Sequence, residues 1–302
     1  MNGASIHILM ALLCAPALLG IINRVKALFA GRTGQPLLQP YHDLFKLMRK
    51  GAVYSRTTTW VFRLNPLVGL SAVLVALVFL PFAGSHAVWP SQGDLFILAY
   101  VLGLARFFLI VAALDTGSSF EGMGASREAL FSALTEPAFL MGLAALGRAT
   151  GGHSLSEIYS TLSFHPLAGI APVILLIAAA FLIVLLTENA RMPVDDPNTH
   201  LELTMIHEVM VLDYSGPDLA MILYTSSLKL WIFGSLLLGL ILPVHGEQVG
   251  FNIGITYAGM VGMAVGVGVI ESTMARLRLL RIPQLLVAAS SLTILAFLLL
   301  LR

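Results

Sequence analysis

The amino-acid sequence predicts an all-α integral membrane protein of about eight transmembrane helices, with short amphipathic and cytoplasmic loop helices between them. Three observations predict this class. Of 302 residues, 58% are hydrophobic and 11% charged, whereas soluble domains carry about 25% charged residues. Apolar windows of about 20 residues, enough to cross ~30 Å of hydrocarbon, recur along the chain. Lys and Arg gather in alternate connections. The chain therefore reads as a single polytopic domain over 1–302. Its 17 Lys+Arg are balanced by 16 Asp+Glu, so no concentrated basic face is left for a nucleic-acid partner.

The first window, near 5 to 23, follows no basic residue and shows no clear small-residue cleavage site, so it reads as a retained span. It contains the single cysteine, Cys14. One thiol can neither close an internal disulfide nor hold an iron–sulfur cluster, so redox cofactors are expected in partner chains and none on this one. Residues 31–60 form a basic amphipathic loop. In QPYHDLFKLMRKG, Tyr41, Leu44, Phe45 and Met48 recur at helical spacing, while His42, Asp43, Lys46, Arg49 and Lys50 take the other face. Pro40 suits the first helical position and Gly51 the position after the helix. A short interfacial helix is expected there, either a plain membrane anchor or a wall of a headgroup-depth cavity or docking surface.

Further windows lie near 64–83, 94–114, 127–147, 167–188, 218–242, 251–271 and 283–301. Glu128 and Glu136 interrupt the fourth, and Pro137 is expected to kink it, because proline removes a backbone donor. The loops after odd-numbered windows contain Arg24, Lys26, Arg32, Lys46, Arg49, Lys50, Arg56 and Arg63, then Arg127, Arg191, and Arg276, Arg278 and Arg281; the opposite side offers Arg148 and Arg302. The positive-inside rule places the odd loops in the cytoplasm and both termini on the outer side of a cytoplasmic (inner) membrane.

Arg106, Glu136, Glu188, Lys229 and Glu271 fall within or at the ends of these windows. Each would cost a few kcal/mol facing lipid, so each should face a partner or a hydrated cavity. Single pairs, such as Lys229 with a glutamate of another span, are one reading. Several such groups in one chain favour a hydrated proton path.

The loop at 189–217 is acidic. RMPVDDPNTHLELTMIHE carries Arg191, Asp195, Asp196, His200, Glu202, His207 and Glu208. A metal site does not fit, since His200 and His207 would lie about 10.5 Å apart on one helix. GMGAS at 122–126 lacks the lysine and context of a phosphate loop. Asp196 can cap a helix beginning at Pro197, and DYSGP ends it, so a cytoplasmic helix of about four turns is expected over 197–212. Its apolar residues call for a packing partner.

These blocks resemble the membrane subunit shared by respiratory complex I and the energy-converting membrane-bound [NiFe] hydrogenases, including the formate hydrogenlyase and hydrogenase-4 complexes. The pattern E-x-x-R-x-P-x-D appears as Glu188, Arg191, Pro193 and Asp195, followed by Glu202, Leu203 and Asp213-Tyr214-Ser215-Gly216. A second block appears as Arg32, Gly34, Gln39, Pro40, Asp43, Lys46 and Leu47. Features of the hydrogenase branch appear as Asp115 to Ser118, Gly124 to Glu128, and Glu271, Thr273, Ala275, Arg276 and Arg278.

The resemblance implies a non-catalytic subunit that joins a redox arm to the membrane arm and couples it to proton or sodium movement. Its proton path would use Glu136, Glu188, Asp195, Glu202, Asp213, Lys229 and Glu271. Its partner interface would use Arg191, Asp196, His200, His207, Glu208, Tyr214, Arg32, Asp43 and Lys46. The implied partners are hydrogenase large and small (iron–sulfur) subunits, antiporter-like membrane subunits and the lipid bilayer; the [NiFe] centre and iron–sulfur clusters would sit in those partners. Asn198 and His200 stand where complex I members usually carry acids. The blocks at 115–118 and 271–278 are features of the hydrogenase branch, so quinone-binding residues are not carried over. Two alternatives remain: the homologous subunit of a quinone-reducing complex, and a stand-alone proton-coupled transporter. Against the second, residues 1–150 and 151–302 show no internal repeat.

Overall fold

The computed structural model describes residues 3–164, 170–195, 206–244 and 248–301. The helices, in chain order, are α1 (Gly3–Phe29), α2 (Gln39–Met48), α3 (Trp60–Val78), α4 (Asp94–Asp115), α5 (Ser119–Thr150), α6 (Leu155–Phe164), α7 (Ala171–Glu188), α8 (Gly216–Ile241), α9 (Val249–Thr273) and α10 (Ile282–Leu299). Among the described residues, eight helices are long and apolar enough to cross a membrane. They match the expected windows one for one, and the chain is a multi-pass membrane protein.

Helix α8 lies at the centre and is the most buried of the eight, with Trp231 fully enclosed. Helices α3, α4, α5 and α7 gather on one side of it; α10 packs on α5 and α7, and the α1–α9 pair completes the other side. Apolar contact drives little association inside lipid, so close approach over small residues matters. A Cβ at Gly259 would meet Leu238 at 2.8 Å, and one at Gly268 would meet Val25 at 2.8 Å.

Two spans carry prolines whose cost is met from outside the helix. A proline cannot donate to the carbonyl four residues earlier, and no water is at hand in lipid to replace it. Pro16 leaves the Leu12 carbonyl free, and the Tyr224 hydroxyl of α8 donates to it at 2.8 Å. Pro66 leaves the Phe62 carbonyl free, and the Tyr214 hydroxyl donates to it at 2.9 Å while its ring stacks on Phe62. Around Pro137, α5 continues as a single helix from Ser119 to Thr150.

The expected interfacial helix is α2, with proline in its first turn, but it ends at Met48 with Arg49 as its cap rather than at Gly51. Gln39, Pro40, Tyr41, Leu44 and Leu47 are its half-buried positions, and the Tyr41 hydroxyl donates to the Leu13 carbonyl. Phe45 and Met48, of the same apolar spacing, are exposed, the side that an interfacial helix turns to lipid, with the Arg49 guanidinium over the Phe45 ring. Packing against α1 and α8 takes up the half-buried side.

The four-turn helix expected over 197–212 is corrected in its described part. Residues Glu208–Val211 form one tight 3-10 turn, with turns on either side. The physical reason is the anchorage of its start: Asp195 Oδ2 accepts the backbone N–H groups of Ile206 at 3.0 Å and His207 at 3.2 Å, and so competes with helical pairing. Asp196, His200 and Glu202 lie outside the described residues.

Candidate functional site

Five ionisable side chains from four helices converge where α7 ends. Arg106 is near the middle of α4, Glu128 and Glu136 lie on α5, Glu188 is the last residue of α7, and Lys229 lies about 20 Å along α8 from its start. Arg106 Nη2 donates to Glu188 Oε1 at 2.5 Å, and its Nη1 donates to Glu136 Oε1 at 3.0 Å. Lys229 Nζ pairs with Glu188 Oε2 at 2.8 Å. Glu128 stands 3.8 Å from Arg106 Nε, which makes no hydrogen bond. Planar guanidinium geometry explains why arginine holds this place, since one side chain faces carboxylates from two other helices at once.

Space adjoins the cluster on three sides. A cavity with about 60 Å³ open to a water-sized sphere is bounded by Asn65, Arg106, Glu128, Glu188, His207 and Lys229, among others. That is room for a few waters. A smaller void, about 10 Å³, lies between α5 and α7 and is lined by Glu128, Ser132, Thr135, Thr187, Glu188 and Asp195. A wider recess of about 330 Å³ opens from Arg106 and Glu136 past Tyr100 and Phe107 to the outside of the bundle. The Glu136 side chain is 52% exposed there. A carboxylate so exposed at membrane depth calls for a covering polar partner or water, because lipid offers it neither.

The described part of the connection between α7 and α8 is bound to this cluster. His207 lines the larger cavity; burial, with Lys229 and Arg191 nearby, lowers its pKa to about 4, so it is neutral. Asp195 is held by Arg276 at 2.8 Å besides the two backbone donors, which fixes its carboxyl group in place. The N–H of Asp213 donates to Glu121 at 3.2 Å. Tyr214 accepts from Asn65, a cavity residue, at 2.9 Å; burial raises its pKa. Gly124 lets this segment lie directly on α5: a Cβ there would run into Val209 and sit 2.9 Å from both the Ile206 carbonyl and Met210. Of the two glycines of GMGAS, Gly124 thus serves close packing. Asp115 fastens the neighbouring ends of α3 and α4, accepting from the Thr59 N–H at 2.7 Å and its hydroxyl at 2.9 Å.

Of the residues expected on a path, Glu136, Glu188 and Lys229 meet, and Asp195 is one small void away. Glu271 does not join them. It is fully buried between Lys26 at 2.9 Å and Arg191 at 3.3 Å, and so ties α1 and α9 to the start of the connection. Glu208 begins the 3-10 turn. In the first loop, Arg32 and Lys46 are exposed, and Asp43 accepts from Gln39 at 2.8 Å. Sequence reasoning missed Arg106 and Glu128 as members of the site. Arg106 is legible in the sequence as a charge in an apolar window, and Glu128 as an interruption of a window and the last residue of the block at 124–128.

The comparisons agree with this architecture. The sequence profile of the family described as NADH dehydrogenase matches residues 3–301. Formate hydrogenlyase subunit 4 of Escherichia coli (strain K12) is 33% identical over 94% of this chain and 93% of its own length. Hydrogenase-4 component C of the same strain is 32% identical over 78% of this chain and 74% of its own. An NADH-quinone oxidoreductase subunit of Wolbachia pipientis wMel is 27% identical over 66% of this chain and 63% of its own. The membrane-bound sulfane sulfur reductase, an archaeal respiratory membrane complex, includes a chain of the same fold, with TM-score 0.83 over 97% of this chain and 98% of that one at 20% identity. By profile and by these relatives, the chain belongs to the NADH dehydrogenase family of membrane subunits, together with formate hydrogenlyase subunit 4 and hydrogenase-4 component C.

Proposed function

We propose that this chain is the membrane-anchoring, ion-coupling subunit of a hydrogenase-type respiratory complex, set in the cytoplasmic membrane with its odd loops toward the cytoplasm. Hydrogenase large and small subunits would dock on the loop side and carry the [NiFe] centre and iron–sulfur clusters. Antiporter-like membrane subunits would cover the opening at Glu136. The observation that carries the proposal is the continuous sequence of ionisable groups and small cavities from the 206–214 segment, through Glu188 and Arg106, to the half-exposed Glu136. The two Escherichia coli relatives favour the hydrogenase setting. A change in the redox arm would shift the 206–214 segment; that displacement would alter the field at Glu188 and hence proton occupancy toward Glu136.

The test is Glu136→Gln in the intact complex in inverted membrane vesicles. Redox activity toward a soluble dye should persist, while reaction-driven proton uptake is lost. Unchanged uptake would remove Glu136 from the path. The 27% identity to an NADH-quinone oxidoreductase subunit supports the alternative of a quinone-reducing complex. Quinone reduction by the purified complex, blocked by a quinone-site inhibitor, would favour that alternative.

A further inference from the structure

We propose that the apolar recess between α7, α8 and α9 is a binding site for one anionic phospholipid, with the acyl chains in the recess and the headgroup at Arg278 and Arg281.

Helix packing creates the recess. Helix α9 leans on α1 and α8, whereas α10 packs on α5 and α7, so a wedge stays open between α7 and α9 with α8 as its floor. It has about 750 Å³ open to a water-sized sphere, and every described residue that bounds it is apolar. Close packing leaves no empty space of that size inside the membrane, so something outside this chain fills it. Gly266 bears on the same point. A Cβ there would meet nothing within 4 Å, unlike those at Gly259 and Gly268, which would run into Leu238 and Val25. Glycine is unfavourable in a helix interior, and here its missing side chain makes room for no other part of the protein.

The dimensions select the occupant. On α7 the recess runs from Ala171 to Leu182 and on α9 from Gly259 to Ile270. Each stretch is about 16 Å long at ~1.5 Å per residue. That is about half of a ~30 Å hydrocarbon core, the depth of one leaflet. The mean cross-section is then at most about 45 Å², whereas a helix about 10 Å across needs about 80 Å². Extended hydrocarbon chains fit this space, and a partner's transmembrane helix does not.

Charge selects the headgroup. Ile270 is the last residue of α9 in the recess, and one turn later Met274 opens the connection to α10, its N–H donating to the Ile270 carbonyl at 2.9 Å. The connection reads MARLRLLR. Leu277 N–H donates to the Pro193 carbonyl at 2.9 Å, which fixes it to the segment that follows α7. Arg276 is paired with Asp195. Arg278 and Arg281 are exposed, and no ion pair engages them among the described residues. Leu280, between them, is 88% exposed. Exposed arginines beside an exposed leucine suit the depth of lipid headgroups, where guanidinium groups bind phosphate and the apolar side chain enters the acyl region. At the opposite end of the recess, the sequence at 165–170 and 242–248 contains no Lys or Arg.

The experiment places the intact complex in phosphatidylcholine vesicles containing a trace of phosphatidylglycerol or phosphatidylcholine with a photoreactive diazirine on one acyl chain. Adducts are mapped by peptide mass spectrometry. The phosphatidylglycerol probe should label α7 and α9 along the recess about thirtyfold more than the phosphatidylcholine probe, the scale of two arginines beside a headgroup. Gly266→Leu combined with Ala179→Leu fills the recess and should remove this labelling, while the exposed face of α10 is labelled as before. Arg278→Gln combined with Arg281→Gln should bring the two probes level. Equal labelling by both probes in the parent overturns the inference, as does undiminished labelling in the filled variant. A recess that neither probe labels is covered by a partner subunit, and that outcome overturns it too.

Discussion

Arg106 holds Glu188 across the interior of the bundle, with Nη2 at 2.5 Å from Oε1, and the same guanidinium holds Glu136 at 3.0 Å. One side chain of α4 thereby fixes the C-terminal end of α7 and the middle of α5. Removing one partner of a buried ionic group leaves the others uncompensated, a larger loss than the group contributes when complete.

Arg106→Met should therefore destabilise the protein by about 3–5 kcal/mol, because Glu188 would keep only Lys229 and the carboxylates of Glu128 and Glu136 would lose the guanidinium they face. Arg106→Lys keeps the charge but cannot reach two carboxylates in the same plane, so its loss should be intermediate. Thermal melting of the purified complex in detergent measures both. Equal melting temperatures for Arg106→Met and the parent would contradict this role for the guanidinium.

Tyr214→Phe should cost about 1–3 kcal/mol, because it strands the Phe62 carbonyl released by Pro66 and takes an acceptor from Asn65. Pro66→Ala supplies a backbone donor to that carbonyl. In a double-mutant cycle the tyrosine change should therefore cost less on the Pro66→Ala background than on the parent. Strict additivity would show that the hydroxyl does not substitute for the missing donor.

Acid sensitivity should come in part from His207, whose pKa falls from 6.5 to about 4 on folding. Between these values the unfolded chain binds more protons than the folded one, so stability rises as pH rises from about 4 to 6.5 and levels off above. Melting temperatures across that range should rise less steeply in His207→Gln. An identical slope in the variant would assign the acid sensitivity elsewhere.

Much of the fold is legible in the sequence because its cause is local. The eight spans follow from runs of apolar residues, and α2 follows from helical spacing beside Pro40. Glu136, Glu188 and Lys229 stand out because a charge in an apolar run demands a partner. The face that α2 packs was not legible, since contacts with α1 and α8 decide it. The expected helix after Asp196 failed in its described part because a side chain from outside the repeat, Asp195, took up the backbone donors of residues 206 and 207.

By itself the sequence determined the membrane class, the number of spans, the interfacial helix and the family, because transfer free energies and local spacing add along the chain. Only the tertiary structure decided which charge meets which. Glu188 finds Arg106 and Lys229 from sites 82 and 41 residues away in the chain, while Glu271 finds Lys26 and Arg191 instead. Pairing depends on the rotation and crossing of whole helices. Those are set by contacts such as Gly268 on Val25 and Gly124 on Val209, which no local stretch of residues encodes.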